Sequence, residues 1–154
     1  LLTNYYESPT DLTASQEATY LISKNLPSPM GAYLTAFKSK EMAEKVQNEK
    51  LQFELKNGRK PKTALMGLTF KPNIDDLRQS PAKQIVETLL NSANKSDFII
   101  VEPNLKEHSY FELTNINVAI NKAEIIVFLV AHNQFKELTL GKGIKILDFC
   151  GITA

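Results

Sequence analysis

Met66-Gly-Leu-Thr-Phe-Lys-Pro-Asn-Ile-Asp-Asp-Leu-Arg-Gln-Ser-Pro-Ala82 is the stretch on which the fold turns. Its upstream neighbour, Thr63-Ala-Leu-Met-Gly-Leu68, is a short apolar run of the length expected for a buried strand. Downstream, Ser80-Pro81-Ala82 has the form of a helix start. The Ser80 hydroxyl suits the N-cap, and Pro81 suits the first helical position, where no donor is needed. The loop between carries Lys71, Asp75, Asp76 and Arg78. In an open α/β sheet, ligands sit where a strand's carboxyl end meets a helix N-terminus. Free N–H groups and the helix dipole favour anions there, and a lysine point charge and an arginine fork add two partners for phosphate or carboxylate. The stretch therefore predicts an anion site, most naturally for a nucleotide.

Outward from this stretch, short apolar runs alternate with helical periods from Pro61 onward, the signature of β-α-β units and a parallel sheet. Ile85, Val86, Leu89, Leu90 and Ala93 make one helical stripe that ends at Asn94, and Asp97–Val101 is the second strand, with Glu102-Pro-Asn104 as its exit loop. Tyr110–Leu113 is ambiguous, whereas Ile116, Val118, Ala119 and Ile120 lie on a helix that ends near Lys122. Glu124–Val130 is the strongest strand, and Lys145–Phe149 is the last. The fold class is α/β: a Rossmann-like three-layer domain over residues 59–154, with four parallel strands, helices on both faces and right-handed crossovers. All the strand exits then gather on one edge.

Residues 1–58 read as a helical lead-in. Leu1 to Ser8 is expected to be irregular, and Thr13-Ala-Ser-Gln16 resembles a capping box for a helix through Ala18, Leu21 and Ile22. Ser28-Pro29 repeats the cap-and-proline start and opens a longer helix to about Lys56. Its apolar positions are Met30, Leu34, Phe37, Met42, Val46, Leu51 and Leu55, and Asn57-Gly58 is its stop.

Composition narrows the function classes. The chain has 154 residues, about one domain with a real core. A formal net charge of +1 provides no field for nucleic acid or a membrane surface. One cysteine excludes an internal disulfide framework and is compatible with a reducing, cytoplasmic setting. No apolar run approaches a membrane span, and no signal-peptide pattern opens the chain. His108, His132 and Cys150 lack metal-ligand spacing, so no metal is expected. The first residue is Leu1 rather than Met, from which a piece of a longer protein is expected.

Gly67-Leu-Thr-Phe-Lys-Pro-Asn-Ile-Asp-Asp-Leu-Arg-Gln-Ser-Pro-Ala82 also resembles the C-terminal signature of the UDP-glucose/GDP-mannose dehydrogenase family. Its Pro-Asn-Ile-Asp-Asp-Leu-Arg version is most similar to the UDP-N-acetyl-D-mannosamine dehydrogenase branch. The resemblance runs from about Pro61 to the C-terminus, and it implies roles residue by residue. Phe70 and Lys71 fall on the pair that contacts the UDP-sugar, and Arg78 falls on the arginine that reaches NAD held mainly by another domain. It also implies that the helix before Asn57 links this domain to a central one that makes a homodimer; an ordinary amphipathic helix packed on the domain is the plainer reading. Asp75 and Asp76 are expected to shape the turn and to pair with Lys71 or Arg78 rather than to catalyse.

Three further positions bear on chemistry. Glu102-Pro103 is similar to the acidic exit of the family's second strand, and an acid there can hold a ribose hydroxyl in a dinucleotide fold. No Gly-x-Gly-x-x-Gly precedes it, so NAD binding by this domain alone is not required. His132 can titrate near neutrality, but a single histidine at a strand end more often caps or packs. Cys150 sits at the end of the last strand, not in the glycine-rich Gly-Gly-x-Cys-x-x-Lys-type motif that carries the family's nucleophile. No catalytic residue is therefore assigned here, and the nucleophilic cysteine is expected in another domain. Family members place a substrate-binding arginine three residues after the glycine that corresponds to Gly151, where this chain has Ala154.

The resemblance implies an NAD-dependent enzyme of bacterial surface-polysaccharide synthesis that oxidises the C6 alcohol of a UDP-sugar to a carboxylate in two steps. A thiohemiacetal on the absent cysteine would link the two oxidations. This chain would supply the UDP-binding side and be inactive alone. UDP-glucose or GDP-mannose dehydrogenase domains remain alternatives. So do a stand-alone nucleotide-binding module and an interaction domain whose loop charges only pair with each other.

Overall fold

The computed structural model describes residues 2–4, 12–14 and 38–153. Leu2–Asn4 (β1) and Leu12–Ala14 (β2) pair antiparallel, with Leu2 opposite Ala14 and Thr3 opposite Thr13. This corrects two expectations: the lead-in contains a strand, and Thr13 is no helix cap. A cap at Thr13 would need Ala14 to be helical, whereas both residues are extended and paired across the ribbon. A β-branched threonine suits that backbone. The helix expected through Ala18, Leu21 and Ile22 lies outside the described residues, as does the Ser28-Pro29 start of the next.

Lys38–Asn57 (α1) is the described part of that longer helix. Gly58 closes it at φ 67°, with its N–H on the Glu54 carbonyl. The inward stripe differs from the expected one. Met42, Ala43 and Val46 are buried, whereas Leu51 is 52% and Leu55 73% exposed. The step from Val46 to Leu51 is five residues, which at 3.6 residues per turn swings the side chain about 140° off the buried face. Four residues on, Lys50 occupies the inward position instead and is itself buried.

The rest builds one sheet. Thr63–Met66 (β3), Phe98–Val101 (β4), Ile125–Phe128 (β5) and Lys145–Asp148 (β6) are all parallel, in the order β4-β3-β5-β6. Pro81–Ser92 (α2) connects β3 to β4, and a 3-10 turn over Lys95–Asp97 leads into β4. Ile116–Lys122 (α3) precedes β5, and Asn133–Lys136 (α4) follows it. The ambiguous Tyr110–Leu113 segment resolves as loop, with Leu113 making a single parallel bridge to Ile100.

Alternation along the strands separates two faces, because successive side chains point to opposite sides of a sheet. Leu65, Ile125 and Val127 pack with α1 and α2 through Met42, Val46, Ile85, Val86 and Leu89. Ala64, Met66, Ile126 and Phe128 pack with α3 and α4 through Ala119 and Phe135. Each fully buried Val, Leu or Ile in these layers contributes about 1.5–3 kcal/mol. The domain is thus three-layered, as the sequence pattern predicts. β4 and β5 lie on opposite sides of β3, so the direction of winding changes between β3 and β5, the position at which open α/β sheets take ligands at the strands' carboxyl ends.

Candidate functional site

The chain leaves β3 at this winding reversal by a close approach that only glycine permits. Gly67 has φ 99°, and a Cβ built on it would stand 2.6 Å from the Val130 Cβ. Its N–H donates to the Val101 carbonyl (2.8 Å), and the Met66 carbonyl accepts from Leu129 N–H (2.9 Å). The exits of β3, β4 and β5 are therefore tied together within a few residues.

The loop that follows is closed on itself. Phe70 N–H donates to the Asp76 carbonyl (2.8 Å), which brings the two ends of the 70–76 excursion together. Asn73 and Gln79 take left-handed backbone at φ 62° and 53°. Ser80 ends the loop as expected: its hydroxyl donates to the Leu68 carbonyl (2.6 Å) and accepts from Lys83 N–H (3.2 Å), with Pro81 in the first turn of α2. One expectation changes here. Ser80, Pro81 and Ala82 are buried, so the N-terminus of α2 is covered by its own loop and is not an open anion cradle.

The loop charges divide. Asp76 holds Arg78 through both carboxylate oxygens: Arg78 Nε and Nη2 donate at 2.8–3.2 Å, and the Arg78 backbone N–H adds a bond of 2.9 Å. The hydrogen bonds of Arg78 hold the Asp76 carboxyl down at about 2. The arginine side chain nevertheless remains 89% exposed, held outward with its remaining donors free of the loop. Lys71 makes no ion pair among the described residues; its Nζ lies 5.9 Å from the Phe70 ring centroid. Lys71 and Phe70 are both half-buried at the loop's start. The expected pairing of an aspartate with a loop cation is thus Asp76 with Arg78, and it leaves Lys71 available.

Beneath the loop lies a polar cluster that sequence reasoning did not assemble. His132, from the β5 exit, is fully buried. Its Nδ1 accepts from Asn73 N–H and from the Asn104 amide (both 2.9 Å), and its Nε2 lies 3.0 Å from Glu102 Oε2 and 3.3 Å from Thr69 Oγ1. A backbone N–H can only donate, so Nδ1 is the acceptor and Nε2 carries the hydrogen that Glu102 accepts. Glu102 also receives the N–H groups of Leu68 (2.7 Å), Thr69 (3.2 Å) and Asn104 (3.0 Å). Burial pushes the Glu102 carboxyl up, but His132 and these N–H donors outweigh it and bring it below its ordinary value. Glu102 therefore does not hold a ribose; it faces inward and ties β4 to the loop after β3. That disposition, without a glycine-rich turn, does not fit a dinucleotide site on this domain.

Cys150 follows Asp148 at the end of β6. Burial, together with the adjacent Asp148 charge, pushes the thiol up to about 12, which disfavours the thiolate near neutrality. Asp148 accepts from the N–H groups of Cys150 (3.0 Å), Gly151 (2.8 Å) and Thr153 (2.8 Å), and from the Thr153 hydroxyl (2.7 Å). Its role is to fold the last turn back onto the strand end.

A parallel sheet with a charged loop at its winding reversal is shared by many nucleotide-binding proteins, and comparison with known sequences narrows the choice. The profile of the UDP-glucose/GDP-mannose dehydrogenase family, UDP binding domain, matches residues 64–152, more than half of the chain. The chain belongs to this family. UDP-N-acetyl-D-mannosamine dehydrogenase of Campylobacter jejuni is 37% identical over 109 residues, covering 66% of this chain and 26% of that protein. NDP-N-acetyl-D-galactosaminuronic acid dehydrogenase of Ralstonia nicotianae is 42% identical over 84 residues, 52% of this chain and 20% of the relative. Among solved structures, a UDP-D-ManNAc dehydrogenase of Pyrococcus horikoshii superposes with a TM-score of 0.55 at 25% identity, covering 73% of this chain and 28% of that one. The chain spans about a quarter of such relatives. The family match begins within β3 and ends just after β6, so it covers the four-stranded sheet and the loops at its strands' carboxyl ends.

Proposed function

We propose that this chain is the UDP-binding part of an NAD-dependent UDP-sugar 6-dehydrogenase that converts a C6 alcohol to a carboxylate in two oxidations for surface-polysaccharide synthesis. The sugar is proposed to resemble that of the UDP-N-acetyl-D-mannosamine enzymes. In this reading residues 59–154 carry the nucleotide, and residues 1–58 connect them to the remainder of a longer cytoplasmic enzyme that works as a homodimer. Lys71 is the cationic partner of the UDP-sugar, and Phe70 forms the wall beside it. Arg78 reaches out toward NAD, which is held by a different part of the enzyme.

One observation carries the reading: Lys71 stands at the winding reversal of the sheet with no acidic partner among the described residues, while the neighbouring arginine is paired with Asp76. A loop whose charges served only its own turn would pair both cations. Desolvating a lone ammonium at a crevice is favourable only if an anion completes it. The inward-facing Glu102 supports placing NAD elsewhere. The test is calorimetric titration of the chain with UDP and with GDP, repeated on Lys71→Ala. Saturable UDP binding, weaker for GDP and lost in the variant, is expected. Equal binding by Lys71→Ala would remove Lys71 from the site.

A further inference from the structure

We infer that His132 is the positioning residue of the nucleotide edge: its ring fixes the backbone on the far side of Lys71 and so sets where the ammonium can reach. This rests on the nucleotide reading of the Lys71 loop. Three observations carry it. The ring is fully buried, yet it lies at the carboxyl end of β5, directly beneath the 69–73 segment. It receives the N–H of Asn73, a residue in left-handed backbone whose own side-chain oxygen accepts from Asn133 N–H (2.9 Å). On the near side of Lys71, Thr69 Oγ1 donates to the Lys71 carbonyl (2.9 Å) while lying 3.3 Å from the same ring.

Lys71 is therefore bracketed. Thr69 holds its carbonyl, and His132 holds the amide two residues on. The ring is anchored from the β4 exit: Nε2 donates to Glu102, whose oxygens also take Leu68, Thr69 and Asn104 N–H groups. Lysine is a flexible point charge, so a fixed backbone is what converts it into a directed one. A misplaced ammonium loses phosphate binding even though the charge remains.

The role depends on one atom, the Nδ1 acceptor, and two substitutions separate it from mere stability. Asparagine places an amide oxygen near the Nδ1 position, whereas glutamine reaches toward the Nε2 position and leaves the Asn73 N–H without its acceptor. Both variants remove the ring and lose packing against Phe135, whose ring it meets edge-on at 5.3 Å. Titration of UDP into the folded chain at a temperature well below each variant's unfolding is expected to weaken about tenfold in His132→Gln and to return close to wild type in His132→Asn. Amide exchange across residues 70–76 in the unliganded chain should rise in His132→Gln and fall back in His132→Asn. Equal UDP affinity in wild type and His132→Gln, or unchanged exchange in that segment, would overturn the positioning role while leaving the nucleotide reading intact. Absence of UDP binding by the wild-type chain would overturn the nucleotide reading and this inference with it.

Discussion

At the scale of single residues, two positions translate directly into measurable stability. Gly67 combines a left-handed φ of 99° with a Cβ position 2.6 Å from Val130, so Gly67→Ala must strain the backbone and push β5's exit away at once. A loss of about 3 kcal/mol in a denaturant titration is expected from these two effects together. Asp148 makes a pH-dependent case. Burial raises its carboxyl, but the Thr153 N–H and hydroxyl and the neighbouring backbone N–H groups outweigh this and bring it from 3.8 to about 2. A folded-state value below the unfolded one means that the contribution is complete above about pH 4 and fades as pH falls toward 2. Discounted for the solvent that still reaches it, Asp148→Asn should cost about 1 kcal/mol at neutral pH and little at pH 2, read as converging melting temperatures. The sequence makes Lys71, Arg78 and the Ser80 cap legible because each belongs to a contiguous, chemically marked run. It leaves His132 and Glu102 as isolated polar residues at strand ends. The contacts that His132 makes with Glu102, Asn104 and Thr69 span 28 to 63 positions, and no local pattern announces a contact that only strand order creates.

Among elements, β3 to β6 and α2 follow from the sequence with ends within a residue or two; β3 and β5 are buried on both faces and their apolar runs are unbroken. α1 is where the pattern misleads. Leu51 and Leu55 suggest the continuing stripe, but the helix turns them outward and brings Lys50 in. There the ammonium lies 3.5 Å from Asp97 Oδ2 and 3.8 Å from the Phe98 ring centroid, and neither Lys50 Nζ nor Asp97 Oδ2 has a hydrogen-bond partner. Burial pulls the Lys50 amine below its ordinary value even though Asp97 pulls the other way. A charge pair buried without supporting hydrogen bonds contributes little, because desolvation offsets the attraction. Lys50→Met should therefore leave stability unchanged or raise it by about 1–2 kcal/mol. Asp97→Ala should lower it by about 3 kcal/mol, since an ammonium would remain buried with no counter-charge. Paired chemical denaturation curves distinguish the two, and a clear loss in Lys50→Met would show that the pair stabilises the α1 contact.

For the molecule as a whole, the question is how much of a two-step oxidation a single α/β domain can hold. The described residues of this edge present a cation without an ion pair at Lys71, an outward arginine at Arg78, a thiol raised to about 12 at Cys150, and an acid at Glu102 turned into the core. The acid that could meet a cofactor ribose, Glu102, is engaged with Leu68, Thr69 and His132. The raised Cys150 thiol is likewise poorly suited to hold an aldehyde between steps. The family match and the quarter-length overlap with its relatives fit the same division of labour. The consequence is a dissociation of two signals that an intact dehydrogenase would show together. Saturating UDP should raise the melting temperature of the chain, since a ligand at about 100 times its Kd stabilises by about 2.7 kcal/mol. The same chain supplied with UDP-sugar and NAD should produce no NADH above background. NADH formation would require a nucleophile and a cofactor seat that the described residues do not provide, and it would refute the assignment of chemistry to other parts of the enzyme. A melting temperature indifferent to UDP would instead overturn the nucleotide reading of the Lys71 edge.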